Sequence, residues 1–380
     1  MKMAGEKNLG MRLMKARKRA HFTKKAAAEM MEFQHYQTIS DIENGNRNVK
    51  ARELTKFSKL YLCSMDMLMG KIDIEVELQL LWRKYPADEN DAHRIKLLAQ
   101  EHCENYFLLE KILGMEHNNW FIPNIDKRNL LSNRAIDALA DEIARTLCLG
   151  SRPAKCLENI LENKLGIKIL YAEFNEGGSA VSTIHQKYGP VIIINKDEAP
   201  WRRNYDLAHE FFHILTWDYF DMQSMESEIF RRDVEKKANR FASSLLLPHA
   251  DLIEELEKIV VNRVVEIADI IDIAREFDVS TPALIFRLFN LRIIKDFDHA
   301  SELANDREIK RMDKKVRSGD NSDPIPNKYY KLAVKCYRKK MISRGKLAKF
   351  IGKNRAEIDQ FLDKWGVYEE NVEHKKIVFT

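Results

Sequence analysis

No apolar run in this 380-residue chain approaches the roughly 18 to 20 residues that a membrane span requires, and Met1 to Gly10 holds no signal-peptide hydrophobic core. The sequence therefore reads as a cytoplasmic protein without a membrane partner. Its five cysteines, Cys63, Cys103, Cys148, Cys156 and Cys336, are odd in number, scattered, and never spaced as C-x-x-C. That spacing argues against a disulfide framework and a thiolate zinc knuckle, and for reduced, mostly buried thiols. The first seventy residues lack a glycine-rich loop for a nucleotide, and the chain has no long internal repeat and no low-complexity tract.

What is present is a soluble, globular composition, 45% apolar and 32% charged, in a chain long enough for two or three domains. The net charge of +5 is unevenly spread: residues 1–70 carry 14 Lys/Arg against 7 Asp/Glu, and residues 301–380 carry 20 against 12. The centre is therefore acidic. Two basic ends point those ends, rather than the middle, towards a polyanion, although lysine-rich helices are also simply well solvated.

Read for periodicity, residues 1–70 form five short helices joined by brief turns, an all-α module. Thr23 caps "KKAAAEMM", and "QTISDIENG" turns Ile39 and Ile42 inward before Gly45 ends the helix. Residues 71–133 contain "EVELQLLWRKY" and "AHRIKLLAQEHCENYFLLEKIL", which read as a helical hairpin or coiled-coil linker serving either dimerisation or bracing between domains. Residues 134–300 alternate helices with three strands, the last of them "GPVIIIN", buried by its continuous Val/Ile run. Residues 301–380 form a basic helical region in which the linker "SGDNSDPIPNKYY" opens a last segment whose "ISRGKLAKFIGKNRAEIDQFLDKWGV" repeats a helix-turn-helix rhythm. Contact with DNA, contact with a protein substrate, and a solvated helical cap all fit that tail. The predicted class is mainly α with a small β-sheet, α+β.

The chemistry concentrates in "DLAHEFFHILTW", residues 206–217. Histidines at i and i+4 project from one helical face and can reach a single ion, while the glutamate beside the first is placed to take a proton from water. His209 and His213 fit the first role and Glu210 the second. By composition alone an H-E-x-x-H match arises in roughly a few per cent of chains of this length, so the motif needs support. Glu235 supplies it as a third ligand, 22 residues after His213 on a separate helix, with Asn239 one turn further on to back the site. Asp206, three residues before His209, is placed to orient an imidazole or to sit on the helix dipole. His185, Tyr205 and His249 are candidates for stabilising an oxyanion.

"RRNYDLAHEFFHIL" followed by "EKKANRFASSLLLP" resembles the ImmA/IrrE family of metallopeptidases, matching each fixed position of both halves of its pattern. The resemblance spans about residues 135 to 292. It implies a zincin-like domain in which His209, His213 and Glu235 bind Zn2+ and Glu210 is the general base of an endopeptidase. The departure is Phe211-Phe212, where many relatives carry a smaller pair containing glycine; this bulk either narrows the cleft or fills a core.

"TISDIENGNR" and the helices around it resemble the XRE, or lambda-repressor-like, helix-turn-helix domain over residues 1–70. The helix after the turn, polar at its start with Gln34, His35, Tyr36 and Gln37, suits a major groove. Arg47 and Lys24 lie where phosphates would run, and Asp41 would favour a cytosine amino group. The resemblance also implies a buried Arg17–Glu43 pair. The partners expected are a double-stranded DNA operator, bound as a homodimer, and a repressor-type protein whose cleavage would release a stress-response or mobile-element operon. The alternatives are a transcription factor whose peptidase-like domain is a non-cleaving sensor, and an antitoxin-like partner in a two-gene module.

Overall fold

The computed structural model describes residues 2–20, 22–61, 63, 65–70, 81–82, 89–115, 120–174, 178–220, 227–260, 264–317 and 327–365. It divides into two compact units, the first of residues 1–103 with 120–324 and the second of residues 104–119 with 325–380. The fold is mainly α with one small sheet, as the periodicities predict. No described helix is long and apolar enough to cross a membrane.

The first unit opens with α1 (Lys2–Arg19), α2 (Lys24–Met30), α3 (Gln37–Glu43), α4 (Ala51–Leu60) and α5 (Met65–Leu68). Their inward faces meet in a core of Leu13, Ala16, Ala27, Ile39, Ile42 and Phe57. Thr23 accepts the Ala26 N–H at 3.1 Å and so caps α2. The α1 backbone approaches α3 at Gly10, where a Cβ would lie 2.5 Å from the Ile42 carbonyl oxygen, so only glycine fits. Arg17 and Glu43 form the expected buried pair: Nε meets Oε1 at 2.5 Å and a second nitrogen meets Oε2 at 3.0 Å. The remaining Arg17 nitrogen donates to the Phe22 carbonyl at 2.7 Å, so the guanidinium ties α1, the α2 approach and α3 together.

The linker departs from the hairpin expectation. Residues 71–80 and 83–88, most of "EVELQLLWRKY", lie outside the described residues, but β1 (Leu81–Trp82) pairs antiparallel with a strand of the central sheet. A single long helix, α6 (Glu89–Ile112), follows, and its Leu97 packs into the core of the first five helices. Arg94 on α6 bonds both Asp91 and the Glu173 carbonyl, 2.6 Å each. The polar sequence pattern did not distinguish a short edge strand from a helical turn, because two residues carry no period.

The larger core is built on β2 (Lys168–Ala172), β3 (Ala180–His185) and β4 (Gly189–Asn195), ordered β1-β3-β4-β2, with β2 parallel and β3 antiparallel to β4. Every residue of β4 is buried, as its unbroken Val/Ile run requires of a central strand. Around the sheet lie α7 (Asn133–Leu147), α8 (Leu157–Asn163), α9 (Pro200–Leu215), α10 (Glu228–Leu246), α11 (His249–Ile259), α12 (Ile267–Glu276), α13 (Thr281–Asn290), α14 (Phe297–Asn305) and α15 (Arg307–Val316). Pro200 starts α9 at a position where its missing N–H costs nothing. The helix then crosses β3 and β4 and is packed by α10 on its other side. The contacts of α14 and α15 with α12 and α13 place residues up to Arg317 with this unit.

A buried polar network locks the helices beneath the site. Asp137 of α7 takes Arg240 at 2.5 Å and Ser244 at 2.5 Å from α10, and Arg287 of α13 at 3.3 Å. Arg287, 2% exposed, also bonds Ser244 at 2.6 Å and the Leu247 carbonyl at 3.2 Å. Burial pulls its guanidinium below the usual arginine range, and Asp137 opposes that shift. The second unit contains α16 (Asn327–Arg338), α17 (Arg344–Phe350) and α18 (Arg355–Lys364), packed with Tyr106 and Leu109 of α6. The linker "SGDNSDPIP" lies outside the described residues.

Candidate metal centre and nucleic-acid surface

From Asp206 to Leu215 every residue of α9 is buried, so its polar side chains sit where an unsatisfied group is costly. The helix brings His209 and His213 together one turn apart, and α10 lays Glu235 beside them. His209 Nε2 is 3.2 Å from His213 Nε2 and 3.2 Å from a Glu235 oxygen; His213 Nε2 is 3.4 Å from the other oxygen. Among the described residues this is the one group of three or more His, Cys, Asp or Glu side chains spaced to hold a metal ion.

The triangle fits zinc by its dimensions. Ligands about 2.0 to 2.1 Å from a tetrahedral centre stand about 3.3 to 3.4 Å apart along the tetrahedron's edges. The two edges that meet at His209 Nε2, 3.2 Å each, are that figure within about 0.2 Å, and His213 Nε2 meets the carboxylate through its other oxygen at 3.4 Å. The donor set, two imidazoles and a carboxylate, is also a zinc set.

Asn239 sits one turn beyond Glu235, as its sequence position requires, and its Oδ1 is 3.1 Å from His209 Nδ1. An amide oxygen can only accept, so Nδ1 carries the proton and Nε2 presents its lone pair to the triangle. Asp206 is buried one turn before His209 and lines a cavity of about 750 Å³ together with Trp201, Tyr205, Asn239, Phe286 and Lys314. Glu210 is fully buried, and the Ser182 hydroxyl of β3 donates to its Oε2 at 2.6 Å. Ser182 was missed in the sequence because nothing there says which β3 face meets α9. Its signal was only its place on a strand directly ahead of the histidine helix.

Phe211 and Phe212 fill a core. Both are fully buried, with ring centroids 6.3 and 5.4 Å from Phe241. Of the three oxyanion candidates, Tyr205 is tied to the site, donating its hydroxyl to the Asn239 carbonyl at 2.9 Å. His185 instead closes the β3–β4 turn, its Nδ1 accepting the N–H groups of Lys187 and Tyr188 at 3.1 and 3.2 Å. His249 is exposed at the head of α11.

On the N-terminal module, the helix after the turn begins at Gln37, so Gln34, His35 and Tyr36 lie in the approach to α3 and not on its first turn. Tyr36 stands at the N-cap of α3 without a side-chain cap bond. Gln34, His35, Tyr36, Gln37 and Asp41 are exposed together along this edge. Lys24 donates to Ser40 of α3 at 2.9 Å, and Arg47 pairs with Glu53 at 2.8 Å while lying over the Phe33 ring.

Residues 162–289 match the family model described as the IrrE N-terminal-like domain, and residues 13–68 match the model described as helix-turn-helix. The chain joins an XRE-type helix-turn-helix domain to an IrrE-like peptidase domain. The IrrE-like match covers β2 to α13 and thus the strands, the histidine helix and the Glu235 helix. A solved Mycobacterium tuberculosis transcriptional regulator is similar at 17% identity and a TM-score of 0.33, over 49% of this chain and 51% of that one. The chain thus spans about half the length of that structure. No curated protein matches the chain.

Proposed function

We propose that the protein is a DNA-binding transcriptional regulator whose IrrE-like domain is a zinc endopeptidase acting on a repressor-type protein. The observation that carries the metal reading is the His209–His213–Glu235 group, with each imidazole Nε2 3.2 to 3.4 Å from a Glu235 oxygen, the two Nε2 atoms 3.2 Å apart, and Asn239 setting the tautomer of the first histidine. When bound, zinc supplies Lewis acidity, polarising a carbonyl and making water easier to deprotonate. Glu210 takes the proton from the attacking water and returns it to the leaving amine. Ser182 fixes the carboxylate of Glu210 in position. The site reaches solvent through Glu235, whose side chain is 19% exposed, and that is the side from which a peptide would enter.

The helix-turn-helix domain brings the enzyme to an operator, with Gln34, His35, Tyr36, Gln37 and Asp41 facing bases and Lys24 and Arg47 near phosphates. Two copies on a two-fold operator are proposed because one such module grips a half-site weakly. Cleavage of the repressor would switch a stress-response or mobile-element operon. The test is Glu210→Gln with the candidate repressor encoded beside the gene. The reading predicts cleavage by wild type, a loss of at least about 100-fold in the variant, and unchanged DNA binding. Equal persistence of the repressor with both proteins would overturn it.

One observation favours a second reading, a non-cleaving sensor. The cavity of about 750 Å³ borders Asn239, the residue that holds His209, so a small ligand there would act on the metal centre from behind. In that case regulation survives Glu210→Gln and fails on loss of the metal.

A further inference from the structure

The second unit, residues 104–119 with 325–380, holds 15 Lys/Arg against 9 Asp/Glu, while the rest of the chain holds 48 against 49. Its charge is concentrated in residues 325–365, which hold 12 Lys/Arg and three acids, Glu357, Asp359 and Asp363. Two of those acids are engaged locally: Glu357 accepts the Asn354 N–H in a capping box, and Asp359 pairs with Arg344. The excess positive charge of residues 325–365 is therefore not cancelled among those residues.

The fold arranges that charge on one face. Tyr329, Leu332, Ala333 and Cys336 of α16 are buried against α6, α17 and α18, which fixes the rotation of the helix. Lys331, Lys335 and Arg338 consequently stand exposed on the opposite side at intervals of three to four residues, with Lys339 exposed in the turn that follows. A cation every turn, about 5 to 6 Å of rise, makes a continuous ridge. Lys340 extends it past the helix end, and Lys349 and Lys353 are exposed on α17 and its following turn.

The α17–α18 turn repeats that of the N-terminal domain. Ala28 and Ala348 are both buried, Glu32 and Gly352 four residues on take φ of 59° and 66°, and the next N–H returns to the alanine carbonyl at 2.9 Å in each. The same turn also joins α12 to α13, with Asp278 at φ 52°. There the following helix is buried in the core, so the turn alone does not denote DNA. What sets the second unit apart is this turn combined with an exposed cationic ridge.

We propose that the second unit is a second duplex-DNA contact surface, gripping phosphates through the α16 ridge with Lys349 and Lys353. The exposed acids of α18 disfavour its deep entry between phosphates, so the contact positions the protein without reading bases. This goes beyond the operator contacts assigned to the N-terminal domain and does not depend on them.

The test uses full-length protein and a labelled duplex of arbitrary sequence, with affinity measured across a KCl series. Each phosphate contact contributes about −0.9 to the slope of log K against log salt. The variant Lys331→Gln/Lys335→Gln/Lys339→Gln, which keeps the Arg338 bond to the Trp365 carbonyl at 2.9 Å, is expected to flatten the slope by about 2 to 3, with its urea midpoint unchanged because all three side chains are exposed. In wild type, adding duplex is expected to slow amide exchange across residues 328–353. An unchanged slope in a folded variant overturns the proposal, as does duplex binding by wild type without protection in that segment. Tighter binding of single-stranded RNA than of duplex also overturns it. An Ala substitution at Gln37, on the N-terminal domain, should alter sequence preference and leave this slope intact.

Discussion

At the scale of single residues, the site depends on how well one imidazole is oriented. Asn239 Oδ1, 3.1 Å from His209 Nδ1, fixes the protonated nitrogen and turns the other to the triangle. Asn239→Ala should weaken zinc binding by about 10- to 100-fold, read by competition with a chelator, with little change in the fold. A fall of less than twofold would show that packing alone orients the ring. A second residue reports on pH. His102 is half-buried with its Nε2 enclosed, and burial lowers its pKa to about 4. The unfolded chain, with an ordinary value near 6.5, takes up this proton first, so the contribution is complete above about pH 6.5 and is lost as pH falls towards 4. Between pH 7 and pH 5 the loss is about 2 kcal/mol. Urea midpoints at the two values should show that difference in wild type relative to His102→Leu; identical pH dependence would contradict it.

At the scale of elements, the segments that carry the site were those the sequence described best. From Leu207 to Leu215 α9 is apolar apart from His209, Glu210 and His213, and β4 carries an unbroken Val/Ile run, so the burial of both follows from composition. The Glu235–Asn239 spacing fixed one face of α10. Less legible were features that depend on which distant surfaces meet. β1 is two residues long, and Ser182 touches Glu210 across a sheet-to-helix interface. The start of α3 moved because exposed polar residues propagate a helix only as far as its packing supports. The Asp137 network joins three helices across more than a hundred residues of sequence. Its removal has a computable consequence. Asp137→Ala leaves Arg287, 2% exposed, without its carboxylate, and should cost about 3 to 5 kcal/mol. Chemical denaturation of the zinc-free protein measures it; a loss below about 1 kcal/mol would mean that Ser244 and the Leu247 carbonyl suffice.

At the scale of the molecule, three properties lie along one chain: a helix-turn-helix domain, an IrrE-like peptidase domain and a basic second unit. The acidic centre and basic ends visible in composition match the proposed division of labour, with polyanion contact at the ends of the sequence and a metal centre in the middle. The whole account turns on the triangle of His209, His213 and Glu235 being a metal site, since both the enzymatic and the sensing readings require it. The most direct measurement is the zinc content of the purified full-length protein, for wild type and for Glu235→Ala. The account predicts close to one zinc per chain in wild type and loss of most of it in the variant. Absence of zinc from wild type after reconstitution, or equal retention by both proteins, would contradict it.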